Sequence, residues 1–225
     1  GRNLLLLVAM GGAGYVGQSF CYFAALQHAT AGLTALLLYL YPAIVTVLSA
    51  LLARRGLSPL RLLAVAAALF GTGLAVGGSL AGSVLGIVLG VAAALIYSVY
   101  ILVGERVTRV CGAMPSATVI MLAAAAVYGL IVFARGPAFP VSLAAWTAVG
   151  GIALFSTVVA MITFFAGMAR LGAADAATLS TLEPVVTVLL AALFLGEEVG
   201  GWQLAGGAII LTAVIVLARS GEASG

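Results

Sequence analysis

Apolar residues in this chain run in long blocks, broken by short clusters of arginine, glycine and serine, with neither the alternation of strands nor the narrow stripe of a surface helix. Stretches without a formal charge cover 3–53, 62–104, 110–134, 136–169 and 199–218. A membrane-spanning helix needs about 20 apolar residues, so the two longest blocks each have room for two helices and a tight turn. Turn-forming residues stand where those turns are needed: Gln27-His28-Ala29-Thr30 in the first block, and Gly77-Gly78-Ser79 to Gly82-Ser83 in the second. The pattern predicts helices over 4–26, 31–53, 59–77, 83–103, 115–134, 143–168, 175–195 and 200–219. A closed β-barrel would require alternating strands of about ten residues, and these segments are too long and too uniformly apolar for that. The expected fold is therefore all-α and integral to the membrane, with eight transmembrane helices and no soluble domain.

Composition agrees, since 64% hydrophobic and 7% charged residues lie far from the roughly 25% charged residues of a soluble domain. Charge placement then orients the helices, because positive residues accumulate on the cytoplasmic side. With the N-terminal end inside, Arg2, Arg54, Arg55, Arg61, Arg106, Arg109, Arg170 and Arg219 fall on the cytoplasmic side and Arg135 outside. Adding or dropping one helix would scramble that split. The net charge of +3 thus reflects topology, and no clustered basic face suggests nucleic acid as a partner.

A segment beginning at Tyr22 recurs without a gap 142 residues further on. Tyr22-Phe23-Ala24 falls on Phe164-Phe165-Ala166, Leu40-Tyr41-Pro42 on Leu182-Glu183-Pro184, Leu51 on Leu193 and Leu62 on Leu204. In the predicted topology the first copy runs outward and the second inward, which makes the repeats inverted, the architecture of alternating-access transporters. The offset implies an odd number of helices per repeat, and five fits. On that count residues 1–80 hold the last three helices of a first repeat and 81–225 a complete second repeat of five. Two further helices are expected to precede Gly1, giving a ten-helix parent. Arg2 and the Leu4–Leu7 run lead into a full-length span, with no signal-peptide cleavage site in evidence.

The stretch Thr178-Leu179-Ser180-Thr181-Leu182-Glu183-Pro184-Val185, followed by Leu195-Gly196-Glu197 and Gly206, resembles the C-terminal half of an EamA-type repeat of the drug/metabolite transporter superfamily. Leu38-Tyr39-Leu40-Tyr41-Pro42 is similar to the matching part of the first repeat, so the resemblance covers essentially the whole chain. It implies two inverted five-helix repeats and export of small metabolites. The acidic position after the proline helix is Glu197 in the second copy but Arg55 in the first, so the two copies do not share that role.

Glu183 is the carboxylate lying well inside a predicted span, where an acid costs about 2.5–3.5 kcal/mol on insertion scales and must face the bundle interior, a partner or water. Three roles are open to it: satisfying groups freed by the helix break at Pro184, contacting substrate, or exchanging a proton. Its repeat counterpart Tyr41 keeps a hydroxyl before Pro42, which favours a shared structural or cavity role. Ser180, Glu183 and Thr187 share one helical face and Thr178 and Thr181 the next. Tyr15, Gln18, Ser19 and Tyr22 form a polar-aromatic stripe on the first helix, while Tyr39, Tyr97, Tyr100, Thr157 and Thr163 add hydroxyls elsewhere. Such groups either join neighbouring helices or line a cavity. Gln18, Tyr22, Tyr39, Tyr97, Thr157, Thr178, Thr181 and Glu183 are the candidate substrate-binding residues.

The remaining motifs are structural. Gly82, Gly86 and Gly90 form overlapping G-x-x-x-G units for close helix packing, and Gly71 and Gly206-Gly207 are weaker versions. Gly12 to Gly17 matches G-x-G-x-x-G, but inside a span with no preceding strand it is not a nucleotide site. Trp146 and Trp202 near helix ends are interfacial anchors. One histidine, His28, in an external turn offers no metal site or catalytic dyad, and no cofactor is expected. Cys21 and Cys111 lie too far apart along the topology for a disulfide. With no nucleotide-hydrolysis motif, the expected function is secondary transport of small organic metabolites such as amino acids, driven by a proton or solute counter-gradient. The alternatives are a helical membrane enzyme or a non-transporting scaffold or sensor. Expected partners are a small-molecule substrate and membrane lipid, in a monomer or homodimer. Nine arginines and no lysine suggest a GC-rich bacterial genome and hence the plasma membrane, with a cytoplasmic C-terminus.

Overall fold

The computed structural model describes residues 1–54, 59–76, 81–137, 139–195 and 200–222. The Gly77-Gly78-Ser79 turn and the Arg55 and Glu197 loop positions lie outside the described residues. The hydrophobic blocks form helices α1 (Arg2–Ala25), α2 (Ala31–Leu52), α3 (Pro59–Val76), α4 (Val84–Cys111), α5 (Ala113–Arg135), α6 (Leu143–Leu171), α7 (Ala173–Phe194) and α8 (Gly201–Glu222). Among the described residues six of these, all but α3 and α8, are long and apolar enough to cross a membrane, while the apolar parts of those two, Pro59–Ala75 and Gly201–Val216, are shorter. The β-pairing among the described residues is one isolated antiparallel bridge, Ala29 to Gly82.

Helix ends follow local chemistry. Thr30 and Ser142 cap α2 and α6, their hydroxyl oxygens accepting the amides of Leu33 at 3.4 Å and Ala145 at 3.2 Å. Helix α4 runs eight residues beyond the expected end at 103. Its last turns carry charges that support each other, Arg109 donating to Glu105 at 2.8 Å across one turn. Gly112 then stops it at φ 84°, a conformation glycine adopts without steric cost. Three π-helical stretches among the described residues, Met10–Tyr15 in α1, Ile152–Val159 in α6 and Ala191–Leu195 at the end of α7, depart from the regular winding, and the first two begin 142 residues apart.

The chain divides into two compact units, each assembled from two separate stretches: 1–17 with 100–172, and 18–99 with 173–225. In the first, Gly11 packs against the Ile120 carbonyl and Ala123 so closely that a Cβ would not fit. Tyr100 stacks on the buried Phe165 with ring centroids 6.1 Å apart. Gly104 provides the space for Met10, Met168 and Phe165.

In the second unit α3 and α8 cross with their backbones in contact at Gly71 and Gly206. A Cβ on Gly206 would lie 2.5 Å from the Gly71 carbonyl oxygen and 2.6 Å from the Ala75 amide nitrogen. Ala75, Ile210 and Val214 form the buried centre of that crossing, and Leu179, Leu182 and Val185 of α7 pack onto it. Gly82, Gly86 and Gly90 approach Ala29, Leu33 and Leu37 closely. The turn before α2 is pinned to the same stretch, the Thr30 amide donating to the Ala81 carbonyl and the Ser83 amide to the His28 carbonyl, both at 2.8 Å. Arg61 at the start of α3 pairs with Asp175 at the start of α7 at 2.8 Å. Large apolar side chains such as Leu130, Phe133 and Leu193 face outward, as expected where lipid replaces water as the solvent.

Candidate substrate site

Two helix breaks in the second unit build the site. Helix α2 stops at Leu38 and restarts at Tyr41, with Pro42 in the first turn of the new helix. Proline has no amide proton for the carbonyl one turn back and its ring presses on that carbonyl, so the preceding helix cannot run straight through. Helix α7 repeats the arrangement 142 residues later. Its first segment ends at Leu179, Ser180–Leu182 tighten into a 3₁₀ turn, and the helix restarts at Glu183 followed by Pro184. Hydroxyls take up carbonyls at the break: Thr178 donates to Ala174 at 2.9 Å, Ser180 to Ala176 at 3.0 Å and Thr181 to Thr178 at 2.6 Å.

Leu179, Leu182 and Val185 turn to the α3–α8 crossing, while Glu183 is exposed. The Tyr39 hydroxyl lies within hydrogen-bonding and electrostatic reach of the Glu183 carboxylate. Tyr22 and Tyr41 lie within electrostatic reach of the same group. The Tyr41 and Ser180 hydroxyls lie within reach of each other, which sets one broken helix beside the other. Tyr39 stacks on Tyr41 with centroids 6.4 Å apart, and Tyr41 meets Tyr97 at 4.7 Å and 67°, so the rings of α2 next to the carboxylate continue into a tyrosine of α4. The ion pairs among the described residues are Arg61–Asp175 and Glu105–Arg109; neither involves Glu183.

Of the residues expected to bind substrate, Tyr22, Tyr39, Tyr97 and Glu183 thus come together, and Gln18 is half-buried one turn before Tyr22. Thr178 and Thr181 belong to the same unit but are fully buried, and their hydroxyl protons are committed to α7 carbonyls, an arrangement that serves the helix break. Thr157 lies in the first unit, on the π-helical stretch of α6, its hydroxyl donating to the Ile152 carbonyl at 3.4 Å. Tyr41 and Ser180 were not among the expected binding residues. The register already sets Tyr41 before Pro42 as Glu183 stands before Pro184, whereas nothing in the sequence pairs Ser180 with it.

The model of the EamA-like transporter family matches residues 84–219, more than half of the chain. The chain belongs to the EamA-like transporter family. An uncharacterized transporter, YcbK, of Bacillus subtilis (strain 168) is 33% identical over 206 residues, which cover 83% of this chain and 65% of that relative. The chain therefore spans just under two thirds of the length of the curated relative it matches. A solved crystal structure of a protein aligns with 96% of this chain and 76% of its own, with TM-score 0.83 and 26% sequence identity. Family membership and the run of apolar helices make this EamA-like protein a multi-pass membrane protein, and Pro184 of its second break falls within the matched residues.

Proposed function

We propose that the protein is a secondary transporter that exports small organic metabolites such as amino acids across the plasma membrane by alternating access, within a ten-helix architecture of two inverted five-helix repeats. Residues 1–80 supply the last three helices of the first repeat and 81–225 the whole of the second. The observation that carries the proposal is the matched pair of breaks, at Tyr39–Leu40 before Pro42 and at Ser180–Leu182 before Pro184. Discontinuous helices at corresponding positions are where repeat-built transporters place their solute sites, because broken backbone can be hydrated there by a cavity. Tyr22, Tyr39, Tyr97 and Glu183, with Gln18 nearby, contact the solute, and a proton or solute counter-gradient drives its movement.

Export is tested in cells that make the full-length protein and are fed dipeptides. Amino acids are expected to accumulate in the medium faster than in cells lacking it, and equal rates across a broad panel of amino acids and small metabolites would refute export. The inverted topology is tested separately, in a background with Cys21 and Cys111 replaced by serine. The thiol of Pro59→Cys is expected to react with an impermeant maleimide only from the cytoplasmic side, and that of Phe139→Cys only from outside. Both reacting from one side would contradict the arrangement inferred from the arginines.

A further inference from the structure

We propose that the Glu183 cluster recognises an organic ammonium group, so that the solutes carried are ammonium-bearing; this rests on reading the cluster as the solute site of a transporter. Glu183 lies on a membrane helix, where an uncompensated carboxylate is costly. Among the described residues no arginine forms an ion pair with it, and the chain contains no lysine. A side-chain donor within reach of it is the Tyr39 hydroxyl. A carboxylate has about four lone-pair sites, so accepting from Tyr39 leaves room for a ligand's N–H groups, and its exposure leaves them accessible.

The rings supply the second half of the recognition. Tyr39 stacks on the buried Tyr41, which meets Tyr97 edge to face, and Tyr39 and Tyr22 lie within electrostatic reach of the carboxylate. The negative face of a tyrosine ring attracts a cation within about 6 Å of its centroid, and the attraction grows when water is excluded. A carboxylate with aromatic neighbours suits an alkylammonium on both counts. It is adverse to a solute anion, which would face Glu183 with no arginine of the cluster to receive it. A zwitterionic solute would be held by its ammonium end, and a simple amine or quaternary ammonium by its whole head.

Calorimetric titration of the purified full-length protein tests this with matched probes: choline against its neutral isostere 3,3-dimethylbutan-1-ol, and butylammonium against butan-1-ol. At least one cation is expected to bind more than about tenfold tighter than its neutral counterpart. In Glu183→Gln, which keeps an acceptor for Tyr39, that preference should disappear while the melting temperature without ligand is retained. Tyr97→Leu, which removes a ring face, should weaken cation binding several-fold. Equal binding of cations and alcohols, or a preference that survives in folded Glu183→Gln, would overturn the inference. The wild-type comparison decides alone if the variant does not fold. Flux of amino acids by protein that shows no cation preference would defeat this inference and leave the transport reading standing; cation binding without flux of any solute would do the reverse.

Discussion

Replacing Gly206 by leucine is expected to abolish recovery of monodisperse folded protein, and replacing it by alanine to lower stability by about 1–3 kcal/mol, the usual cost of overpacking a filled contact. The reason is geometric. The neighbours of a Cβ at this position are the Gly71 carbonyl oxygen at 2.5 Å and the Ala75 amide nitrogen at 2.6 Å, which are main-chain atoms of another helix and cannot rotate away. The two helices would have to separate, opening the Ala75, Ile210 and Val214 centre on which the Leu182 and Val185 face of α7 rests. Gly129→Ala is the control. No atom lies within 4 Å of a Cβ there, and alanine favours helix over glycine by about 1 kcal/mol, so stability should hold or rise. Thermal unfolding in detergent, followed by size-exclusion chromatography, distinguishes the two positions.

The second large effect is expected at Glu183. Glu183→Leu should eliminate transport, because it removes the charge of the cluster and leaves the Tyr39 hydroxyl without its acceptor, an orphaned group costing about 1–3 kcal/mol if it is not rehydrated. Glu183→Gln restores an acceptor of nearly the same shape and separates architecture from chemistry. It should fold like the parent but carry solute poorly, by a factor of ten or more if the charge contributes at least about 1.4 kcal/mol. Full transport by the glutamine variant, with loss only in the leucine variant, would assign Glu183 to the helix break alone. Initial rates over a range of solute concentrations read this directly, since loss of binding and loss of turnover affect the half-saturating concentration and the maximal rate differently.

Much of this was legible in the chain because the signals are local. Charge-free blocks located the helices, Pro42 and Pro184 marked where two of them break, and Gly82, Gly86 and Gly90 announced a close approach that Ala29, Leu33 and Leu37 complete. The end of α4 was placed too early because hydrophobicity fades at Glu105, whereas the Glu105–Arg109 pair keeps the helix going. The division into units, each joining stretches far apart in the chain, is a matter of long-range packing and leaves no local trace. Residue type alone also could not separate the hydroxyls. Thr178 and Thr181 read as cavity residues like Tyr39, yet a threonine can turn its proton back onto its own helix, while a tyrosine hydroxyl, at the end of a rigid ring, must look for a partner elsewhere. The Tyr41–Ser180 contact joins two helices whose relation becomes visible once the repeat register is known.

The most direct test of the transporter reading is solute counterflow in liposomes that contain the purified full-length protein and no nucleotide. Vesicles loaded with an excess of one unlabelled amino acid or amine at a time are diluted into a trace of the same labelled solute. For at least one solute the label is expected to accumulate transiently above equilibrium, saturably and chemically unchanged, and Glu183→Leu should remove the overshoot. If the label only equilibrates at the rate of protein-free vesicles for every solute, or emerges as a different compound, secondary transport is contradicted.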